Sequence, residues 1–287
     1  MLMRLFRITW PLLSLCLLAS FVVVRGDETA GDETRTLAFR NLQRLVQEEE
    51  RILERARRGD GDYDLGRVQR GFQDLVPKYE AFLGENPGYA PGYVAYGLML
   101  DRAGESELAS RMFLRANQLD PNIPVVKNQL GNYMAEQDKP EQALPYYLAA
   151  IELEPEEPLY HYQLGALLAE FRQTFLDLEM YEAAALDDAL QKAFRRAAEL
   201  SPAEIAFAYR YAESYYDVGD PDWDAALGAW ENLAERLRPG VERQTTLLQR
   251  ANIHILNGEP ERAKRLLRWV TASALQGNKE RLLQRLE

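Results

Sequence analysis

At 287 residues the chain is long enough for two globular domains, yet no long Pro-, Gly- or Ser-rich linker interrupts it, which predicts one continuous architecture. Acidic residues outnumber basic ones 45 to 34, a net charge of −11, and a field of that sign excludes nucleic acid, whose binding depends on neutralising phosphates. The single cysteine, Cys16, lies in an apolar N-terminal stretch, so the rest of the chain holds neither a disulfide nor a cysteine metal site.

The first 26 residues read as a targeting segment. Arg4 and Arg7 precede an apolar run from Ile8 to Val24, Gly26 offers a small residue to a signal peptidase, and Asp27-Glu28 opens a hydrophilic chain. The run of 17 residues also reaches the lower limit of about 17 to 25 for a spanning helix, so an uncleaved membrane anchor is the alternative to a cleaved export signal. Both place residues 27–287 outside the cytoplasm, periplasmic or anchored to the cytoplasmic membrane, and confine membrane contact to an uncleaved N-terminal segment. Leu15 before Cys16 argues against lipid attachment there, and a cysteine-free exported chain suits a bacterial periplasm. Removing residues 1–26 leaves 31 basic against 45 acidic residues, a net charge of −14.

From Leu37 to Arg58 a charged, periodic stretch predicts a helix. Asp60, Asp62 and Asp64 alternate like calcium ligands, but Leu65 and Gly71 stand where that loop needs glycine and glutamate, so the segment reads as a turn. Leu75, Tyr79, Phe82 and Pro87 then stand one period of 34 before Ala109, Phe113, Ala116 and Pro121. The same step carries Gly97 to Gly131 and Gly165, Ala109 to Ala143, Phe113 to Tyr147, Ala116 to Ala150 and Pro121 to Pro155. Each unit predicts two helices, small residues at their close approach, an aromatic plug between neighbouring units and a proline stop. A third unit opens with Tyr160 to Gly165, but Phe194, Ala197 and Pro202 arrive 13 residues late; with no Gly or Pro between Gly165 and Pro202, the insertion predicts lengthened, protruding helices. Tyr211-Ala212, Tyr215, Ala226 and Trp230 mark a fourth unit, and Ala251, His254, Ala263 and Leu267 a fifth. Leu282, Leu283 and Leu286 predict a capping helix.

This pattern resembles the tetratricopeptide repeat (TPR) family, whose consensus of Trp, Leu-Gly, Tyr, Ala, Phe, Ala and Pro spans 34 positions. The resemblance implies an all-α, right-handed superhelical solenoid of antiparallel helix pairs, five to six of them over 27–287. The best repeats are 90–122 and 124–155, with an enlarged repeat 158–202, degenerate repeats 205–237 and 241–272, and a cap at 276–286. It further implies that first helices line a concave groove for a protein or extended peptide. Carried onto matching positions, the groove takes Val94, Leu98, Asp101 and Arg102, then Asn128, Asn132 and Glu136. Tyr162, Ala166 and Glu170 follow, then Tyr209, Glu213, Tyr216 and Asp217, and finally Asn252.

Asn128 and Asn132 share a helical face, and an amide there can hold a peptide backbone because it donates and accepts at once. The family's two-lysine carboxylate clamp is not reproduced. The acidic charge adds the expectation of a polar or basic partner. Catalytic and metal-ligating patterns are missing: His161 and His254 lie 93 positions apart, each reading as a packed helical residue, and no nucleophile, zinc or phosphate-loop motif occurs. Asp177, Glu179, Glu182, Asp187 and Asp188 read as a solvated helix face. The sequence therefore predicts a non-enzymatic, cofactor-free interaction scaffold of the cell envelope. The alternative is a structural or regulatory subunit of a secretion, envelope-assembly or polysaccharide-export complex whose groove stays unused.

Overall fold

The computed structural model describes residues 33–57 and 64–287; the expected export segment, with Asp60 and Asp62, lies outside them. The described residues are helical throughout, with no strand among them, and fall into two compact units, one ending at Leu153 and one beginning at Glu154.

The first unit holds α1 (Glu33–Ala56), α2 (Leu65–Glu85), α3 (Ala90–Arg102), α4 (Ser106–Leu119), α5 (Pro124–Glu136) and α6 (Pro140–Leu153), packed as the pairs α1/α2, α3/α4 and α5/α6. The second holds α7 (Pro158–Glu170), α8 (Arg172–Asp177), α9 (Ala183–Leu200), α10 (Ile205–Ser214), α11 (Trp223–Arg236), α12 (Val241–Leu256), α13 (Pro260–Leu267) and α14 (Gln276–Gln284). Its pairs are α7/α9, α10/α11 and α12/α13, with α14 against α12.

Proline punctuates the helices at both ends. It sits in the first turn of α3, α5, α7 and α13, where its missing amide would have had no partner. Pro87, Pro121, Pro155 and Pro202 each stand two residues beyond a second helix, where the chain cannot remain helical. Asp64 closes the aspartate run by capping α2, its carboxylate accepting from the Arg67 amide at 3.1 Å.

The periodic glycines explain the pairing. A Cβ placed on Gly97 would lie 2.6 Å from Cε1 of Phe113, on Gly131 2.9 Å from Cε1 of Tyr147, and on Gly165 2.9 Å from Cδ1 of Phe194. Each aromatic ring therefore rests on the bare backbone of the first helix of its own unit. The close approach of the two helices and the aromatic side chain are thus one contact, and Phe194 also carries Arg210 of the following repeat over its ring at 4.2 Å. Ala109, Ala116, Ala143, Ala150 and Ala197 are buried around these contacts, because larger side chains would lift the helices apart.

The extra residues of the third repeat do not simply lengthen its helices. Twelve residues separate α7 from α9 where three separate α5 from α6, so nine of the thirteen build α8 and a following turn. The other four extend α9, which has 18 residues against 14 in α6. The insertion closes on itself because Glu179 adopts a left-handed φ of 52° and the Met180 amide returns to the Phe175 carbonyl at 3.1 Å. Phe175 is fully buried and meets Tyr181 edge-on. With no Gly or Pro at the turn, the sequence carries no mark of it.

Asp187 is the fixture that holds this insertion. It accepts from Arg172 Nε at 2.7 Å and Nη2 at 3.0 Å, and from the Gly219 amide at 2.8 Å. Expected on a solvated face, it is largely enclosed, joining α8, α9 and the segment after α10. The geometric match of a carboxylate to a guanidinium fork is what draws it inward. Asp188 one residue on keeps the expected exposure, paired with Lys192 across one turn.

Candidate partner-binding face

In the first unit the first helices are α1, α3 and α5, and most of the expected groove residues there are already occupied. Val94 is fully buried and Leu98 is 7% exposed, both in one core cluster with Leu42, Leu75 and Phe113. As aliphatic side chains they gain more from that core than from an open face. Asn128 is also buried, at 2% exposure, so it presents nothing to a peptide.

Arg102 forms an ion pair with Glu49 of α1, which also receives the Tyr79 hydroxyl at 3.5 Å. Burial pushes the Glu49 carboxyl up, and Arg102 opposes that shift. Asn132 is satisfied internally: its Oδ1 accepts from the Tyr147 hydroxyl at 2.7 Å and its Nδ2 donates to Gln129 Oε1 at 2.8 Å. Gln129 donates onward to Asp101 at 3.2 Å. The amide expected to hold a peptide backbone instead ties α5 to its own second helix and to α3. Glu136 remains exposed at the end of α5. Burial raises the Asp101 carboxyl; at Glu136, although the residue as a whole is exposed, desolvation of the carboxyl and then the Asp101 charge raise it.

The second unit is different. Its first helices α7, α10 and α12 are joined through side chains on one face. Tyr162 packs against the Phe207 ring at 5.2 Å and meets Phe194 edge-on at 5.7 Å. Tyr216, just beyond α10, donates to the Gln249 carbonyl at 3.3 Å and accepts from Asn252 at 3.2 Å, while Arg285, just beyond α14, donates to Asn252 at 2.6 Å. Tyr209 stands edge-on to the buried Trp230 at 5.1 Å. All of Tyr162, Tyr209, Glu213, Tyr216, Asp217 and Asn252 are half-buried, each keeping part of its surface open, as does Ala166; Glu170 is exposed.

Arg210 organises the charges on this face. It lies 4.2 Å from the Phe194 ring centroid, 2.6 Å from Asp217 and 3.9 Å from Glu213, so two carboxylates share one guanidinium. Tyr209 and Tyr216 are each pushed up to about 12, burial being the main cause, so both hydroxyls stay protonated and able to donate. The resemblance does not mark Arg210. A detectable signal was its spacing, three and seven residues before Glu213 and Asp217, the step at which helical neighbours meet.

No group of three or more His, Cys, Asp or Glu side chains suited to a metal occurs among the described residues. His161 lies 2.8 Å from the Pro155 carbonyl and His254 lies 2.6 Å from Glu259, so each is held in a local contact. No described helix is long and apolar enough to cross a membrane.

No protein-family model matches this sequence, and no curated protein matches it. Solved structures do match its fold. PilW, described as a widely conserved type IV pilus biogenesis factor, gives a TM-score of 0.55 at 13% identity over 86% of this chain and 97% of its own. YrrB, described as a TPR protein with an unusual peptide-binding site, gives 0.54 at 17% identity over 72% and 92%. A chain of the Naa15/Naa10 complex bound to HypK-THB gives 0.52 at 17% identity over 87% and 34%. The architecture is thus the TPR-like, all-α solenoid of antiparallel helix pairs.

Proposed function

We propose that the chain is a non-enzymatic interaction scaffold of the cell envelope, and that the first-helix face of its second unit takes an extended, basic or polar segment of a protein partner. The observation that carries this reading is the half-open row of Tyr162, Tyr209 and Tyr216 with Glu213 and Asp217 beside it. Tyrosines give rigid contact area at low entropy cost, and two carboxylates set beside the single guanidinium of Arg210 favour an approaching cation. The unusual peptide-binding site named for YrrB and the type IV pilus biogenesis named for PilW support the use of this fold for such work. The export signal expected at residues 1–26 supplies the envelope location.

Fluorescence anisotropy with labelled extended peptides tests this. A lysine- and serine-rich peptide binds the full chain more tightly than its glutamate counterpart, and Glu213→Lys with Asp217→Lys removes the preference by at least about fivefold, or about 1 kcal/mol. An unchanged circular dichroism melt keeps folding out of the comparison. Equal binding of both peptides sinks the groove reading.

The second reading, a structural or regulatory subunit of a secretion, envelope-assembly or polysaccharide-export complex, rests on the first unit. There Arg102 and Asn132 are consumed by contacts within the chain. It is favoured if the peptide preference is missing while Leu178→Glu and Met180→Glu, at the exposed turn after α8, stop assembly with a native complex.

A further inference from the structure

The C-terminal end carries a surface of opposite character to the rest of the chain. Residues 260–287 hold seven basic and three acidic side chains, a net charge of +4, while residues 27–259 hold 24 basic against 42 acidic, a net of −18. Within that basic end, α13 and the turn after it bury Ala263, Leu267 and Val270 and turn Arg262, Arg265, Arg268 and Trp269 outward. Trp269 is 74% exposed, the most exposed large apolar side chain among the described residues.

The projection of this indole is built into the backbone. Leu267 and Val270 on either side are fixed in the core, and the amides of Thr271 and Ala272 both donate to Gln244 Oε1, at 2.7 and 2.8 Å. Lys279 reaches from α14 to the Val270 carbonyl at 2.9 Å, which places its ammonium beside the same turn. Nearby carboxylates are engaged elsewhere: Glu259 with Arg262 and His254, and Glu261 with Lys264. Among the described residues, no acidic side chain forms an ion pair with Arg265 or Arg268. Glu280 on α14 is exposed.

An exposed tryptophan flanked by unpaired arginines suits an occupant with dense negative charge over an apolar layer. We propose that this surface docks on an anionic lipid headgroup layer, Arg265 and Arg268 meeting phosphates and the Trp269 ring resting where headgroups give way to acyl chains. Guanidinium groups match phosphate oxygens in a fork, and indoles favour that boundary because one edge is polar and the body is not. A headgroup layer deforms around a projecting ring, whereas a protein would need a cavity shaped for it. The −18 body is repelled by such a surface, so only this end approaches, and docking also orients the chain. The inference is independent of the peptide-binding reading, which concerns the first-helix face.

Tryptophan quenching in vesicles with acyl chains brominated near the carbonyl tests it with the full chain, and a difference signal keeps the emission of Trp10 in the N-terminal segment out of the result. The emission belonging to Trp269 is the difference between wild type and Trp269→Phe, an exchange the exposed site tolerates. That emission is quenched when phosphatidylglycerol is mixed with phosphatidylcholine and not with phosphatidylcholine alone. Arg265→Glu with Arg268→Glu reduces the quenching at least about fivefold, as does high salt. No quenching in anionic vesicles overturns the proposal, as does equal quenching in neutral ones. A Trp269 shift on adding polyglutamate, without quenching in vesicles, overturns it in favour of an acidic protein partner.

Discussion

Gly131 and Val94 show what one position can and cannot reveal. Glycine at Gly131 is demanded by the Tyr147 ring lying against it, so Gly131→Leu forces the ring off the helix and costs about 1–3 kcal/mol; a thermal melt equal to wild type would refute that contact. That glycine and its period were legible in the sequence. The open or closed state of a groove position was not: Val94, Asn128, Tyr162 and Tyr209 occupy one repeat register, yet the first two are buried and the last two half-open. What decides this is what neighbouring helices lay over each residue, which the pattern of a single helix does not carry. Asp101 offers a pH test. Burial raises its pKa, so the folded state holds that proton more tightly than the unfolded chain, and stability falls as pH climbs from the ordinary aspartate range through the raised value. Asp101→Asn removes that loss while keeping an acceptor for Gln129. Its urea midpoint therefore declines less than that of wild type between about pH 4 and about pH 7.

At the scale of elements, α8 is a small helix that depends on one carboxylate. Asp187 gathers three charge-assisted hydrogen bonds, two from Arg172 and one from the Gly219 amide. Its replacement by alanine leaves the half-buried guanidinium without that partner. Asp187→Ala is expected to destabilise the chain by about 1.5–3 kcal/mol and to open the 178–182 turn to proteases. A variant with unchanged denaturant midpoint and digestion pattern would show the clamp to be dispensable. The sequence located the insertion through Phe194, Ala197 and Pro202 but gave only part of its form, since four residues lengthen α9 and the others build α8 and its turn. Helix extension is the default where neither Gly nor Pro intervenes, and here a glutamate takes the left-handed turn instead.

At the scale of the whole molecule, the all-α architecture was legible because Gly, Ala, aromatic and Pro residues recur in one order, whatever the overall identity to other chains. Location rests on residues 1–26 and calls for its own measurement. An alkaline phosphatase fusion after Asp60 is expected to be active in a bacterial host, with a chain recovered from the envelope beginning at or near Asp27. Activity with an intact N-terminus would make the segment an anchor, and an inactive fusion would put the repeats in the cytoplasm.

The contact between Gly165 and Phe194 forms across a gap 13 residues longer than the one between Gly131 and Tyr147. The link between paired helices is therefore a splice site: chain can be added there without disturbing the joint on either side of it. A binding loop, a tag or a small folded domain grafted between Glu136 and Pro140 of the neighbouring repeat should be carried on the same terms, provided its ends return to that spacing. Sequence searches keyed to a fixed period would pass over such enlarged repeats, whereas a template that asks only for the glycine and its aromatic partner, at any separation, would recover them.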